Sequence, residues 1–170
     1  MLQRPAPDEH AEYYVRYIAL VPDGDLLAAL HASHADLLKR LRAASAKSHD
    51  RYAPGKWSVA EVVQHLSDCE RVFGYRMLCF ARGAAQNLPP FDENAWAPAS
   101  KADDRPYDDV VDEYVAVRAA TVALIWGIPA AAWAGRGTMS GNAATARAVA
   151  YIAAGHERHH ASILAERYGV

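Results

Sequence analysis

Three of the chain's eight histidines, His156, His159 and His160, fall within five residues. They lie in the run Gly155-His156-Glu157-Arg158-His159-His160-Ala161-Ser162-Ile163-Leu164, and the flanks from Ala143 to Tyr168 read as one Ala-rich helix. Residues four apart on a helix stand one turn above each other on the same face. His156 and His160 therefore share a face with Val149, Ile152, Ala153 and Ile163, while Arg147, Glu157 and Arg158 lie away from it. Neutral imidazole is a favoured ligand for zinc, nickel, copper and iron, so such a pair is half of a metal site. Two packed core histidines would leave the same pattern. His159 sits about 60° round the wheel from His156, on the side away from His160, and is expected not to bind.

The same residues spell H-E-x-x-H, the helix of zinc proteases in which the Glu is the general base. Only ten residues follow His160, and Glu166 is the only acid or histidine among them. A third ligand must therefore come from upstream, which is a different architecture. No Gly-rich phosphate loop, G-x-S-x-G elbow or C-x-x-C pair is present.

Upstream, the elements that must position a third ligand can be read from their start signals. Residues 1–22, with Pro5, Pro7 and Pro22, form an arm or short helix that offers Tyr13, Tyr14, Tyr17 and Ile18 for packing. A first helix follows Asp23-Gly24-Asp25, with Leu27, Leu30, His34, Leu37, Leu38 and Leu41 on its stripe; His34 is a spare ligand candidate. A second starts at the capping box Ser58-Val59-Ala60-Glu61, with Trp57 and Val62 placed as a hydrophobic staple. His65 sits on the shoulder of its stripe, where it can point into a groove between helices. Glu61, one turn before it, and His159 are candidates to support the ligands from behind.

From Gly83 to Arg105 the periodicity dissolves around Pro89, Pro90 and Pro98. So long a crossover is usually functional, and it lets the helices on either side run parallel. Its Asp92 and Glu93 are candidates for a further ligand or a general base, and the stretch Pro89–Pro98 is expected to form one wall of the metal pocket. A third helix starts near Pro106 and stops at Gly127 and Pro129. Residues 127–142, with Gly135, Gly137 and Gly141 around Trp133 and Met139, read as a loop with room for a short extended piece. Asn142 or Thr145 then caps the fourth helix.

Composition narrows the class. At 170 residues the chain suits one domain, 1–170, with a sizeable core. A net charge of −2 leaves no electrostatic footprint for nucleic acid or an anionic membrane. Cys69 and Cys79 share one helix, roughly 15 Å apart, too far to pair with each other. That is the cysteine usage of a reducing, cytoplasmic compartment. The N-terminal residues lack the apolar stretch of a signal peptide, and the longest apolar run, Thr121 to Ala134, is too short to span a membrane.

The order is an early lone His, a long crossover and a late H-x-x-x-H. The chain resembles the DinB/YfiT-like superfamily of small metal-dependent proteins. Trp57-Ser58-Val59-Ala60-Glu61-Val62-Val63-Gln64-His65-Leu66 is similar to that family's W-[ST]-x-x-E-x-x-x-H-L start, and His156 to His160 to its H-x-x-H-H helix. The resemblance runs from about residue 20 to the end. It implies an all-α fold, a four-helix bundle with a long crossover, and a divalent metal ion (Zn, Ni or Fe) held by His65, His156 and His160. The basic residue usual after the last His is replaced here by Ala161-Ser162. Family members of known activity include thiol-dependent transferases and isomerases using bacillithiol or mycothiol, and dimers are common. The expectation is thus a metal-dependent enzyme, a thiol S-transferase or hydrolase acting on a small molecule, possessed of a homodimeric state. The alternative is a non-enzymatic metal- or ligand-binding bundle of stress response.

Overall fold

The computed structural model describes residues 2–84 and 87–170; residue 1 of the arm and residues 85 and 86 of the crossover lie outside the described residues. The arm carries a short helix, α1 (Val15–Ile18), between two 3-10 turns and α2 (Leu26–Ala43). The Asp25 carboxylate starts α2 by accepting from the amides of Leu27 at 2.8 Å and Ala28 at 3.2 Å. Helix α3 (Val59–Ala81) begins with the capping box: Ser58 Oγ accepts from Glu61 N at 3.0 Å, and the Glu61 carboxylate accepts from Ser58 N at 2.8 Å.

The crossover holds β1 (Asn87–Leu88) and a short helix, α4 (Glu93–Ala99), that was not expected from a segment with Pro98 inside it. Then come α5 (Tyr107–Gly127), β2 (Arg136–Met139), β3 (Asn142–Thr145) and α6 (Ala146–Ile163), which continues as a π turn over Leu164–Tyr168. Strand β2 pairs antiparallel with β3 and parallel with β1. Ser140 and Gly141, both at positive φ (52° and 79°), make the two-residue turn of the β2–β3 hairpin. Ala143 and Ala144 therefore belong to a strand, and the last helix starts three residues later than its Ala content implies. Thr145 Oγ1 caps it, accepting from Ala148 N at 3.1 Å.

Side-chain pairings set the directions. Gln64 meets Glu113, and Glu70 meets Arg118, so α3 and α5 run parallel across the crossover. His65 and Phe73 both meet His156, while His65 also meets His160 nearer the end of α6, so α6 runs antiparallel to α3. Helix α2 packs on α5 and α6, as does α3, which leaves α2 and α3 on opposite corners of the bundle. Two apolar regions fill it. One gathers Leu30, Met77, Phe80, Met139 and Ile152, the other Leu37, Leu41, Val63, Leu66, Val110 and Leu164. Each such aliphatic side chain contributes about 1.5–3 kcal/mol on burial. Among the described residues no helix is long and apolar enough to cross a membrane.

Between the two regions the centre is polar. Arg118 of α5, 2% exposed, lies 2.7 Å from Glu70 Oε1 of α3 and 2.8 Å from Glu157 Oε2 of α6. The hydroxyls of Tyr114 and Ser33 also donate to Glu157, and His34 Nδ1 is 3.7 Å from it. This corrects two expectations. Glu157 does not lie away from the core but inside it, because α6 is enclosed on nearly every side. His34 belongs to this network and not to the histidine cluster.

Candidate metal centre

His65 and His156 face each other across the α3–α6 contact, with their Nε2 atoms 3.2 Å apart. The His160 ring closes the triangle, its centroid 4.7 Å from that of His65 and 4.5 Å from that of His156. All three are buried. Burial, reinforced by the neighbouring imidazoles, pushes His156 and His160 well below the usual histidine range and brings His65 down to about 4, so the cluster is neutral at pH 7. Neutral imidazoles present lone pairs, the form a metal requires. Two further features fit an ion. His160 Nδ1 is buried without a hydrogen-bond partner. Two nitrogens on one tetrahedral zinc stand roughly 3.3 Å apart, close to the separation seen.

The rings are held from outside. Trp57, the staple residue ahead of α3, packs on His65 with centroids 4.7 Å apart, and Phe73 packs on His156 at 5.5 Å. Tyr17 of the arm meets His156 at 5.6 Å and His159 at 5.4 Å. The arm can come this close because residue 155 has no side chain: a Cβ there would collide with the Tyr17 carbonyl. Gly155→Ala improves helix propensity, yet it is expected to lower stability by about 1–3 kcal/mol through overpacking. Trypsin should also cut after Arg16 faster in the variant. Unchanged denaturation and unchanged cleavage would show that the arm yields freely.

The cluster floors an open cavity of about 360 Å³. Tyr13, Tyr14 and Tyr17 of the arm line one side, and Phe91 and Glu93 of the crossover another. The crossover thus contributes to the wall, but through only one of its two candidate acids. Asp92 is exposed, and its carboxylate caps α4, accepting from the amides of Asn94 and Ala95. Asp92 is the extended N-cap residue and Glu93 the first residue of α4, so the adjacent acids serve different tasks. Glu61 is also diverted from a supporting role. Its carboxylate closes the capping box and pairs with Arg51, and it makes no hydrogen bond to His65 among the described contacts. His159 is half-buried on the cavity wall beside Tyr17 and His160.

One member of the cluster was missed. Cys69 Sγ lies 3.5 Å from His65 Nε2, and ligand atoms of His65, Cys69 and His156 all fall within 4.8 Å of one another; that close set does not include His160, whose ring packs beside it. The signal was present, since Cys69 follows His65 by four residues on α3. Burial pushes the Cys69 thiol up, so without a cation it stays protonated. Cys79 is likewise free.

A family model described as the DinB superfamily matches residues 29–164. Among solved structures, YfiT from Bacillus subtilis, described as a probable metal-dependent hydrolase with an unusual four-helix bundle topology, shares the fold with a TM-score of 0.72. The two are 18% identical, and the match covers 98% of this chain and 94% of YfiT. No curated protein matches the chain.

Proposed function

The chain belongs to the DinB superfamily, and from that premise we propose that it is a divalent-metal-dependent enzyme, a thiol S-transferase or hydrolase acting on a small molecule. One observation carries the reading: three buried, neutral imidazoles converge on the floor of an open cavity, one of them with an unpartnered nitrogen. His65, His156 and His160 are the residues that would hold the ion. A divalent cation held by three histidines lowers the pKa of a bound water or thiol and polarises a carbonyl. The rest of the site serves position and proton handling. Trp57, Phe73 and Tyr17 fix the imidazole planes. Glu93 is the carboxylate among the described lining residues and is the candidate general base. The description of YfiT as a hydrolase supports a hydrolytic reaction, and the family's thiol-dependent members support a transferase.

Cys69 favours a second reading. With its sulfur beside His65 and His156 in the close set, and His160 drawn in, four protein ligands would enclose an ion, as in sites that store or sense a metal without turnover. The two readings separate by experiment. Protein made without a His-tag or nickel column is expected to carry about one divalent ion per chain by elemental analysis, and to convert electrophilic or ester substrates, with or without a low-molecular-weight thiol, only when loaded. Loaded protein that turns over nothing in such a screen favours the storage reading. Protein that arrives empty and takes up no zinc, nickel or iron removes both.

A further inference from the structure

Two arginines are buried to the same degree in this protein, each 2% exposed, and their surroundings differ. Arg118 has two carboxylates within ion-pair distance. Arg76 of α3 has none among the described residues. Its Nη2 donates to the Pro89 carbonyl at 2.7 Å and to Ser140 Oγ at 3.1 Å, and its Cζ lies 5.8 Å from the centre of the Phe91 ring. The other donors of its planar fork have no acceptor among the described protein contacts. A buried cation with no anion is costly, and burial pushes this guanidinium down from its ordinary value. The side chain nonetheless is fixed from three directions: α3, the crossover at Pro89, and the hairpin turn at Ser140. It lines the same cavity as His65, His156 and His160.

We propose that Arg76 recognises a carboxylate on the substrate, so that the small molecule spans the cavity with its carboxylate on Arg76 and its reacting group at the histidines. The second half of this statement rests on the metal-dependent reading above; the first does not. A carboxylate fits better than a phosphate. With Nη2 spent on Pro89 and Ser140, the uncommitted Nη1 and Nε donors and the single positive charge match one carboxylate rather than a dianion. Arg16, the other cation on the wall, is committed to Tyr17 Oη at 2.9 Å and to the Tyr13 ring. Glu93 on the same wall disfavours a second negative charge. Arg76 lies seven residues beyond Cys69 on α3, roughly 10 Å along the axis, so carboxylate and reacting group are joined by a short chain and are not on neighbouring atoms.

The test uses the full chain loaded with cobalt and a series of ω-mercapto carboxylic acids of increasing length, each matched with the ω-mercapto alcohol. Thiolate binding is read from the change in the sulfur-to-cobalt charge-transfer band on titration, over any band that Cys69 itself gives. The acids are expected to bind on the order of tenfold more tightly than the alcohols at an optimal length, as a charge-assisted pair allows. Arg76→Gln and Arg76→Lys should lose that preference, wholly and in part, with cobalt affinity unchanged. Equal binding of acid and alcohol to the wild type overturns the proposal, as does a preference that survives in Arg76→Gln. Inorganic phosphate competing as well as the best acid overturns the choice of carboxylate. If cobalt does not bind, the metal reading fails, and the Arg76 site is decided on the metal-free protein. There, alkyl carboxylates but not the matching alcohols should shift backbone NMR resonances around Arg76 and Ser140 in the wild type and not in Arg76→Gln; no shift in either overturns it.

Discussion

His156→Ala is expected to abolish metal loading, while His159→Ala keeps it. His156 sits at the middle of the cluster, its Nε2 3.2 Å from that of His65 and its ring 4.5 Å from that of His160. Loss of an outer-shell partner alone costs a metal site about 10–100-fold in affinity, so loss of a central ligand should exceed the upper figure. His159 lies on the cavity wall, its ring packed between Tyr17 at 5.4 Å and His160 at 5.1 Å and outside the close set of ligand atoms. The readout is a zinc titration followed by thermal unfolding. At free zinc a thousandfold above Kd, wild type and His159→Ala should gain about 4 kcal/mol of stability, and His156→Ala should gain almost none. Without zinc, His156→Ala is expected to unfold near the wild-type temperature, because the truncation also removes a crowded imidazole. Equal loss of zinc response in both variants would mean that the wrong pair on α6 has been chosen.

Arg118→Met is expected to cost about 3–5 kcal/mol of folding stability, the range for breaking a buried ion pair from one side. One guanidinium meets two carboxylates in the bundle centre, and the two are not equivalent. Burial raises Glu70 and outweighs the attraction of Arg118. Glu157 is also opposed by burial, but Arg118, His34, Ser33 and Tyr114 together hold it below the usual carboxylate value. Glu157 is therefore the more firmly ionised of the two partners of Arg118. Glu157→Gln should be nearly as costly as Arg118→Met, and Glu70→Gln should cost less than Glu157→Gln. Chemical denaturation of the three variants decides it. An Arg118→Met protein within about 1 kcal/mol of wild type, where ordinary substitutions fall, would show that the carboxylates relax without their cation. Glu157 directly follows His156, so this network also sets the rotation of α6 that aims His156 and His160 at His65.

What could be read along the chain was whatever adjacent residues encode among themselves. Ser58 and Glu61 announce the start of α3, Asp25 that of α2, and the spacing of His156 and His160 puts two imidazoles on one face, because each of these is a relation within one or two helical turns. The motif around His65 and the one around His156 also carried the family and with it the four-helix bundle. Other facts belong to the tertiary structure. Whether Asp92 or Glu93 faces the cavity depends on where the crossover turns into α4, and a two-residue helix start cannot be placed from Pro-rich sequence. Glu61 looked like support for His65, yet the same capping box that marks α3 draws its carboxylate back to Ser58. Glu157 looked solvent-facing because a helix wheel knows only one side to be buried; α6 is packed by α2, α3 and the arm at once, so its polar residues had to find Arg118, Tyr114 and Ser33 on other helices. The arm's tyrosines reach the histidines because Gly155 leaves room for the Tyr17 backbone, and Arg76 faces the cavity without an anion because Pro89 and Ser140, 13 and 64 residues away, hold it there. Contacts between residues so distant in the chain are selected by how the helices pack and leave no periodicity in the sequence.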